Sequence, residues 1–201
     1  MTRRIAAAQR AFTLVELLIA IAVATVLLAL AAPSLRDFME VQRLRSINAD
    51  LITDLQFARS EAVSRNRNVV FKLGQTNGVL TCYVIFTGTD SSCDCTRGAG
   101  NACTSGSDGR ELRTVSVARS TNVLVNKVGA LSPAYFEFDW LTGGIKGPTV
   151  GTDDVSPFNE YVIEVKSTRS GRGWLQTTIN LTGRPTVCSR DRANPGVVAC
   201  P

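Results

Sequence analysis

The stretch RRIAAAQRAFTLVELLIAIAVATVLLALAAPS, residues 3–34, carries a lone carboxylate, Glu16, inside an apolar run. From Phe12 to Ala32 the chain holds that one charge and two threonine hydroxyls, Thr13 and Thr25. At ~1.5 Å per residue a helix over this run reaches ~31 Å, enough for the hydrocarbon core of a bilayer. Arg3, Arg4 and Arg10 precede it and no basic residue follows before Arg36, so the N-terminus is expected to stay cytoplasmic and the rest to be exported. A secretory signal peptide has similar parts, with Ala29-Leu30-Ala31 imitating its cleavage site. Its apolar region, however, is only about 7 to 15 residues long and gains nothing from an acid. A carboxylate at bilayer depth costs about 2.5 to 3.5 kcal/mol, less near the interface, so retaining one points to a partner for it.

Beyond Pro33, which ends the lipid-like run, helical periodicity continues to Arg65. Leu35, Phe38, Leu44, Ile47, Leu51, Leu55, Ala58 and Ala62 form a stripe expected to face a sheet. From Asn68 the pattern changes to short β-branched runs, predicting strands at 69–73, 79–87, 112–118, 123–126, 135–140, 161–166 and 174–181. Thr76-Asn77-Gly78, Thr142-Gly143-Gly144 and Ser170-Gly171-Arg172-Gly173 read as turns, and 88–110 and 143–157 as irregular surface loops. One folded head fits a chain of 201 residues.

The three arginines before residue 11 account for three of the net +5 charges, so the total is no argument for a nucleic-acid partner. The tail is more telling. From Lys166 onward six basic residues, Lys166, Arg169, Arg172, Arg184, Arg190 and Arg192, face one acid, Asp191. The absence of histidine excludes Ser-His-Asp and Cys-His catalysis and histidine-ligated zinc. Asp139, Asp153, Asp154 and Glu160 remain for a carboxylate pair or a calcium site, but loop acids beside Gly and Pro are ordinarily solvated, so no enzyme, metal or cofactor is expected. The six cysteines, Cys82, Cys93, Cys95, Cys103, Cys188 and Cys200, read as disulfides of an exported protein rather than an all-cysteine metal site. Proximity favours Cys188 with Cys200. The other four pair among themselves, with Cys93–Cys95 disfavoured because one intervening residue gives poor geometry.

Ala11-Phe12-Thr13-Leu14-Val15-Glu16-Leu17-Leu18 resembles the type III signal of type IV pilins and type II secretion pseudopilins. The resemblance implies that a prepilin peptidase cuts between Ala11 and Phe12, although the family usually has Gly before the cut, and that Phe12 becomes N-methylated. It also implies that Glu16 pairs with the cationic amine of a neighbouring subunit entering a filament. Phe57-Ala58-Arg59-Ser60-Glu61-Ala62 is similar to the end of this helix in the GspH/FimT group of minor pilins and pseudopilins.

The implied fold is α+β: a long N-terminal helix, membrane-spanning in its first half, packed by its second half on a head of antiparallel sheet. The implied segments are a leader at 1–11, a transmembrane and filament-core helix at 12–32, an amphipathic continuation at 33–66 with a bend at Pro33, and a disulfide-bonded periplasmic head at 67–201. The implied setting is the bacterial inner membrane, crossed once, and then a pilus or pseudopilus. The implied partners are other major and minor pilins or pseudopilins, the prepilin peptidase, the inner-membrane assembly platform and lipid. The tail, GRPTVCSRDRANPGVVACP, also resembles that of FimT-like minor pilins, some of which capture DNA through a Gly-Arg-x-Arg motif. Gly183-Arg184 matches its first half, Thr186 stands where the second arginine belongs, and Arg190 and Arg192 are the substitutes.

Overall fold

The structure, a computed structural model, describes residues 13–76, 80–88, 93–104, 109–128, 135–146, 160–169, 173–191 and 194–201. Two compact units divide the chain between Met39 and Glu40. One helix, α1, runs Leu14–Arg65 and belongs to both. It stops where Asn66 takes φ +52°, a left-handed conformation that asparagine tolerates, and the Arg67 amide closes the last turn on the Ala62 carbonyl at 3.2 Å.

In the second unit nine strands are described, all paired antiparallel: β1 Val69–Thr76, β2 Leu80–Thr87, β3 Arg110–Val117, β4 Val123–Lys127, β5 Tyr135–Phe138, β6 Ile145–Lys146, β7 Glu160–Ser167, β8 Trp174–Asn180 and β9 Pro185–Ser189. They form two sheets, ordered β3-β2-β1-β5-β6 and β4-β7-β8-β9. Helix α1 contributes Leu44, Leu51, Leu55, Ala58 and Ala62 to one core with both sheets. Their spacing of seven, four, three and four keeps them on one helix face. From β1 and β2, Val69, Phe71, Tyr83 and Ile85 point into this core, because alternate residues of a strand share a face.

Aromatic rings carry the packing from one sheet to the other. Phe71 stacks on Tyr83 at 5.3 Å and on Phe136 at 5.2 Å, and Phe136 lies 4.6 Å from Tyr161 of the second sheet. Such pairs add about 0.5 to 1.5 kcal/mol each beyond the area they bury. Several buried polar groups are paired where α1 meets the sheets. Tyr83 donates its hydroxyl to Asp54 of α1 at 2.7 Å, and Arg113 of β3 reaches the other Asp54 oxygen at 2.9 Å, although Asp54 is only 1 % exposed. Burial, then this carboxylate, push the Tyr83 phenol far above its ordinary range and keep it a donor. Thr177 of β8 likewise donates to Asn48 of α1 at 2.9 Å. An acid and an amide on the helix thus fix its register against both sheets.

All seven expected strands are present, with ends shifted by a few residues. Two further strands were not expected: β6 lies inside the 143–157 stretch read as irregular, and β9 lies in the basic tail. The turn residues Asn77, Gly78, Ser170, Gly171 and Arg172 fall outside the described residues. The helical stripe is corrected at its start. Leu35 and Phe38 are 60 % and 59 % exposed, whereas from Leu44 onward the stripe is buried, with Ile47 partly so. Both precede Glu40, where the second unit begins, and so belong to the first unit.

Candidate functional site

From Leu14 to Ala32, α1 is apolar on every side but for Glu16 and Thr25. Leu14, Val15, Leu17, Leu18, Ile21 and the large side chains up to Leu30 are all more than half exposed. A helix hydrophobic all round either lies in a core or crosses a membrane, and by length and composition this one can cross. The Glu16 amide donates to the Thr13 hydroxyl at 3.2 Å, so Thr13 caps the helix and Glu16 stands in its first turn. Thr13-Leu14-Val15-Glu16 therefore has the pattern of a capping box, in which Thr and Glu at this spacing serve the unpaired amides of a helix start. Sequence reasoning missed this role of Thr13, although the spacing was legible. The acid also sits favourably at the positive end of the helix dipole. Of the other residues expected to act in assembly, Ala11 and Phe12 fall outside the described residues, and Pro33 lies within α1.

The six cysteines form three disulfides, Cys82–Cys95, Cys93–Cys103 and Cys188–Cys200. The alternation that sends Tyr83 and Ile85 into the main core turns Cys82, Val84 and Phe86 to the opposite face of the sheet. There they form a second cluster with Val70, Cys93, Cys95 and Ala102. Strand β2 is thus buried on both faces, and the 93–103 loop is the lid on the outer one. Gly74 of β1 gives this lid its seat, because a β-carbon there would overlap the Cys95 sulfur. The Glu111 carboxylate gathers the lid, accepting from the amides of Gly100 at 2.9 Å and Ala102 at 3.0 Å and from the Thr114 hydroxyl at 2.7 Å. Desolvation raises the Glu111 pKa, but these donors outweigh it and hold the group below its ordinary value.

At the C-terminus, Cys188–Cys200 closes a loop that folds back on β8, β9 and α1. The Ser189 amide donates to Val198 at 2.7 Å, and the Arg45 guanidinium of α1 donates to the Pro195 carbonyl at 2.9 Å. Strand β9 separates the two described tail arginines: Arg184 precedes it and Arg190 follows it, six residue steps or ~20 Å of extended chain apart. Arg190 is held in place, donating to Gln176 at 2.8 Å with its guanidinium 5.3 Å from the Trp174 ring, which also has Lys166 at 5.9 Å. Arg192 lies outside the described residues. The structure therefore does not gather Arg184 and Arg190 into one cluster. It does supply an aromatic ring, from β8 rather than the tail, that sequence reasoning did not connect with Arg190.

Of the acids weighed for catalysis, Asp139 and Glu160 are among the described residues. Asp139 accepts from Lys146 at 2.9 Å and from Thr142 at 2.8 Å, and these two bonds lower its pKa. Glu160 pairs across strands with Asn180, and Asp153 and Asp154 lie outside the described residues. Among the described residues no three His, Cys, Asp or Glu side chains are placed to hold a metal ion.

A family profile described as type II transport protein GspH matches residues 49–153, and one described as the prokaryotic N-terminal methylation motif matches residues 6–32. Two crystal structures of the type IV minor pilin FimU of Pseudomonas aeruginosa (strain PAO1) are similar at 19 % identity. One has a TM-score of 0.49 over 75 % of this chain and 91 % of that one; the other has 0.45 over 71 % and 90 %. No curated protein sequence matches the chain.

Proposed function

Because the chain belongs to the GspH family of type II transport proteins, we propose that it is a minor pilin or pseudopilin that assembles at or near the tip of a type IV pilus or a type II secretion pseudopilus and supports filament initiation. Proteins of this kind associate with other pilins in a filament, and their role is structural. The observation that carries the proposal is the exposed, all-round apolar start of α1 with Glu16 as its one charge, inside a matched N-terminal methylation motif. Such a surface is stable only in lipid or against other apolar helices. In this reading 12–32 anchors the chain in the inner membrane with its head in the periplasm. Prepilin peptidase removes 1–11, Phe12 is methylated, the inner-membrane platform lifts the subunit out, and the same helix joins the filament core, turning at Pro33. Glu16 then meets the cationic amine of the adjoining subunit. Intact mass of the protein purified from membranes is expected to show the chain beginning at Phe12 and carrying one methyl group. Retention of 1–11 would contradict the processing step.

The second reading is DNA capture by the tail. It is favoured by the Lys166 and Arg190 charges flanking Trp174, and opposed by the distance from Arg184 to Arg190. Phosphate contacts of this kind are weak, independent of sequence and screened by salt. If the tail serves this purpose, the full chain retards duplex DNA at low salt, and changing Arg184, Arg190 and Arg192 together to Ala abolishes the shift. No retardation, or retardation unchanged in the triple variant, removes this reading.

A further inference from the structure

The four cysteines of the lid are joined out of sequence order. Along the chain they run Cys82, Cys93, Cys95, Cys103, and the bonds take the first to the third and the second to the fourth. The two closed loops therefore cross, whereas Cys188 and Cys200, the last two cysteines, are joined in order. An open chain does not favour the crossed pairs. The pairs in order, Cys82–Cys93 and Cys95–Cys103, are eleven and eight residues apart, against thirteen and ten for the native pairs. Closure probability falls slowly with length, so each pair in order closes more readily than its native rival, by less than about twofold. Direction of export adds to this: with the N-terminus held in the cytoplasm, Cys82 and Cys93 reach the oxidising side before Cys95 and Cys103.

The native choice depends on tertiary structure. Cys95 meets Cys82 where the short helical turn Cys95–Arg97 lies on β1, at the one place where Gly74 leaves room for its sulfur. Cys93 meets Cys103 in the closed lid, where the two residues are bridged antiparallel and the Asp94 amide donates to the Ala102 carbonyl at 2.7 Å. A Cys82–Cys93 bond puts the wrong sulfur on β2. It deprives Cys103 of its partner, leaves the seat at Gly74 empty and uncovers Val70, Val84 and Phe86, all fully buried in the native head. The native bonds are sealed in turn: Cys82, Cys93 and Cys95 are each no more than 2 % exposed, and of the four only Cys103 keeps part of its surface. Mispaired and native lids thus differ in the apolar surface and the sulfur that they show to a partner.

We infer that the lid is the substrate of a thiol–disulfide isomerase on the exported side of the membrane, a partner with a reactive thiolate beside an apolar cleft. The inference rests on the reading above that places the head in the periplasm. The exchange needs no net oxidant. The isomerase thiolate attacks Cys93 of the Cys82–Cys93 bond, forming a mixed disulfide and releasing Cys82 as a thiolate. Cys82 attacks Cys95 of the Cys95–Cys103 bond, forming Cys82–Cys95 and releasing Cys103 as a thiolate. Cys103 then attacks Cys93 of the mixed disulfide, forming Cys93–Cys103 and returning the isomerase thiolate. Closure of the lid over Val84 and Phe86 withdraws the product from a second attack.

The test is peptide mapping of the full chain, purified from membranes with free thiols blocked by alkylation, from cells with and without their periplasmic disulfide isomerase. Without the isomerase the native lid pairs are expected to fall at least about twofold in favour of Cys82–Cys93 and Cys95–Cys103, while Cys188–Cys200 forms equally in both. An isomerase whose second active-site cysteine is changed to alanine retains its mixed disulfides. It is expected to capture the wild-type chain, and to lose it when Cys93→Ser and Cys103→Ser are combined, because Cys82 and Cys95 are then neighbours in order. This capture decides the matter where mispaired chain is degraded. Native lid pairs at equal yield in both cells, no captured chain, or capture unchanged in the double variant would overturn the inference while Cys188–Cys200 still formed. Six alkylated thiols in both cells would instead overturn the reading that exports the head.

Discussion

Replacing Glu16 with Gln is expected to leave the protein in the membrane and exclude it from filaments. Gln keeps the capping pattern with Thr13, since Glu and Gln both serve at that position, and so preserves the helix start. It removes the charge alone. In the proposed packing the cationic amine of the adjoining subunit would then stand in apolar surroundings without a counter-ion. Breaking a buried pair from one side costs about 3 to 5 kcal/mol, a hundredfold or more in an association constant. Thr13→Ala supplies the converse control: it removes the cap hydroxyl seen at 3.2 Å from the Glu16 amide and keeps the charge. Its expected cost is about 1 kcal/mol of local helix stability, with incorporation retained. If Glu16→Gln were tolerated and Thr13→Ala were not, the acid would be a helix-capping residue and the inter-subunit pairing would be wrong.

The second large effect is expected at the lid on the outer sheet face. Combining Cys82→Ser with Cys95→Ser opens a 13-residue separation and releases the loop from the apolar cluster of Val70, Val84 and Phe86. Loop entropy alone predicts a loss of about 3 kcal/mol, which in a head of this size lowers the melting temperature by about 6 to 12 °C. Thermal unfolding of the full chain in detergent, followed by near-UV circular dichroism, measures it. A melting temperature equal to that of the wild type would show that packing alone holds the lid and that the bond is incidental.

The helix and most of the sheet were legible because both rest on periodicity. Leu44 to Ala62 recur at helical spacing, β7 and β8 bury alternate residues, and β1 and β2 stand out instead as apolar, β-branched and aromatic runs buried on both faces. The missed elements lack such a signal. Strand β6 is two residues long, too short for any pattern, and exists because it pairs antiparallel with β5, Phe138 opposite Ile145. Strand β9 opens on a proline beside a Gly-Arg pair and reads as loop. The exposure of Leu35 and Phe38 shows the limit of the same signal: a helical stripe states which face is apolar and not what covers it. The pairing of Cys82 with Cys95 was equally hidden, because it depends on which face of β2 each side chain takes.

The site divides in the same way. Glu16 stood out because a charge in a lipid-like run is costly. Its capping geometry could have been read from Thr13-x-x-Glu16, yet the cost of the charge drew the reading elsewhere. Arg184 and Arg190 look adjacent in the tail, and only the extended path of β9 sets them at opposite ends of a strand.

The most direct test of the account is the amount of this chain in filaments sheared from a deletion strain complemented with wild type or with Glu16→Gln, each normalised to its level in the membrane. The account predicts a loss of at least about tenfold for the variant, a conservative bound on the cost of an unpaired buried charge. Equal content in the two filament preparations would contradict it.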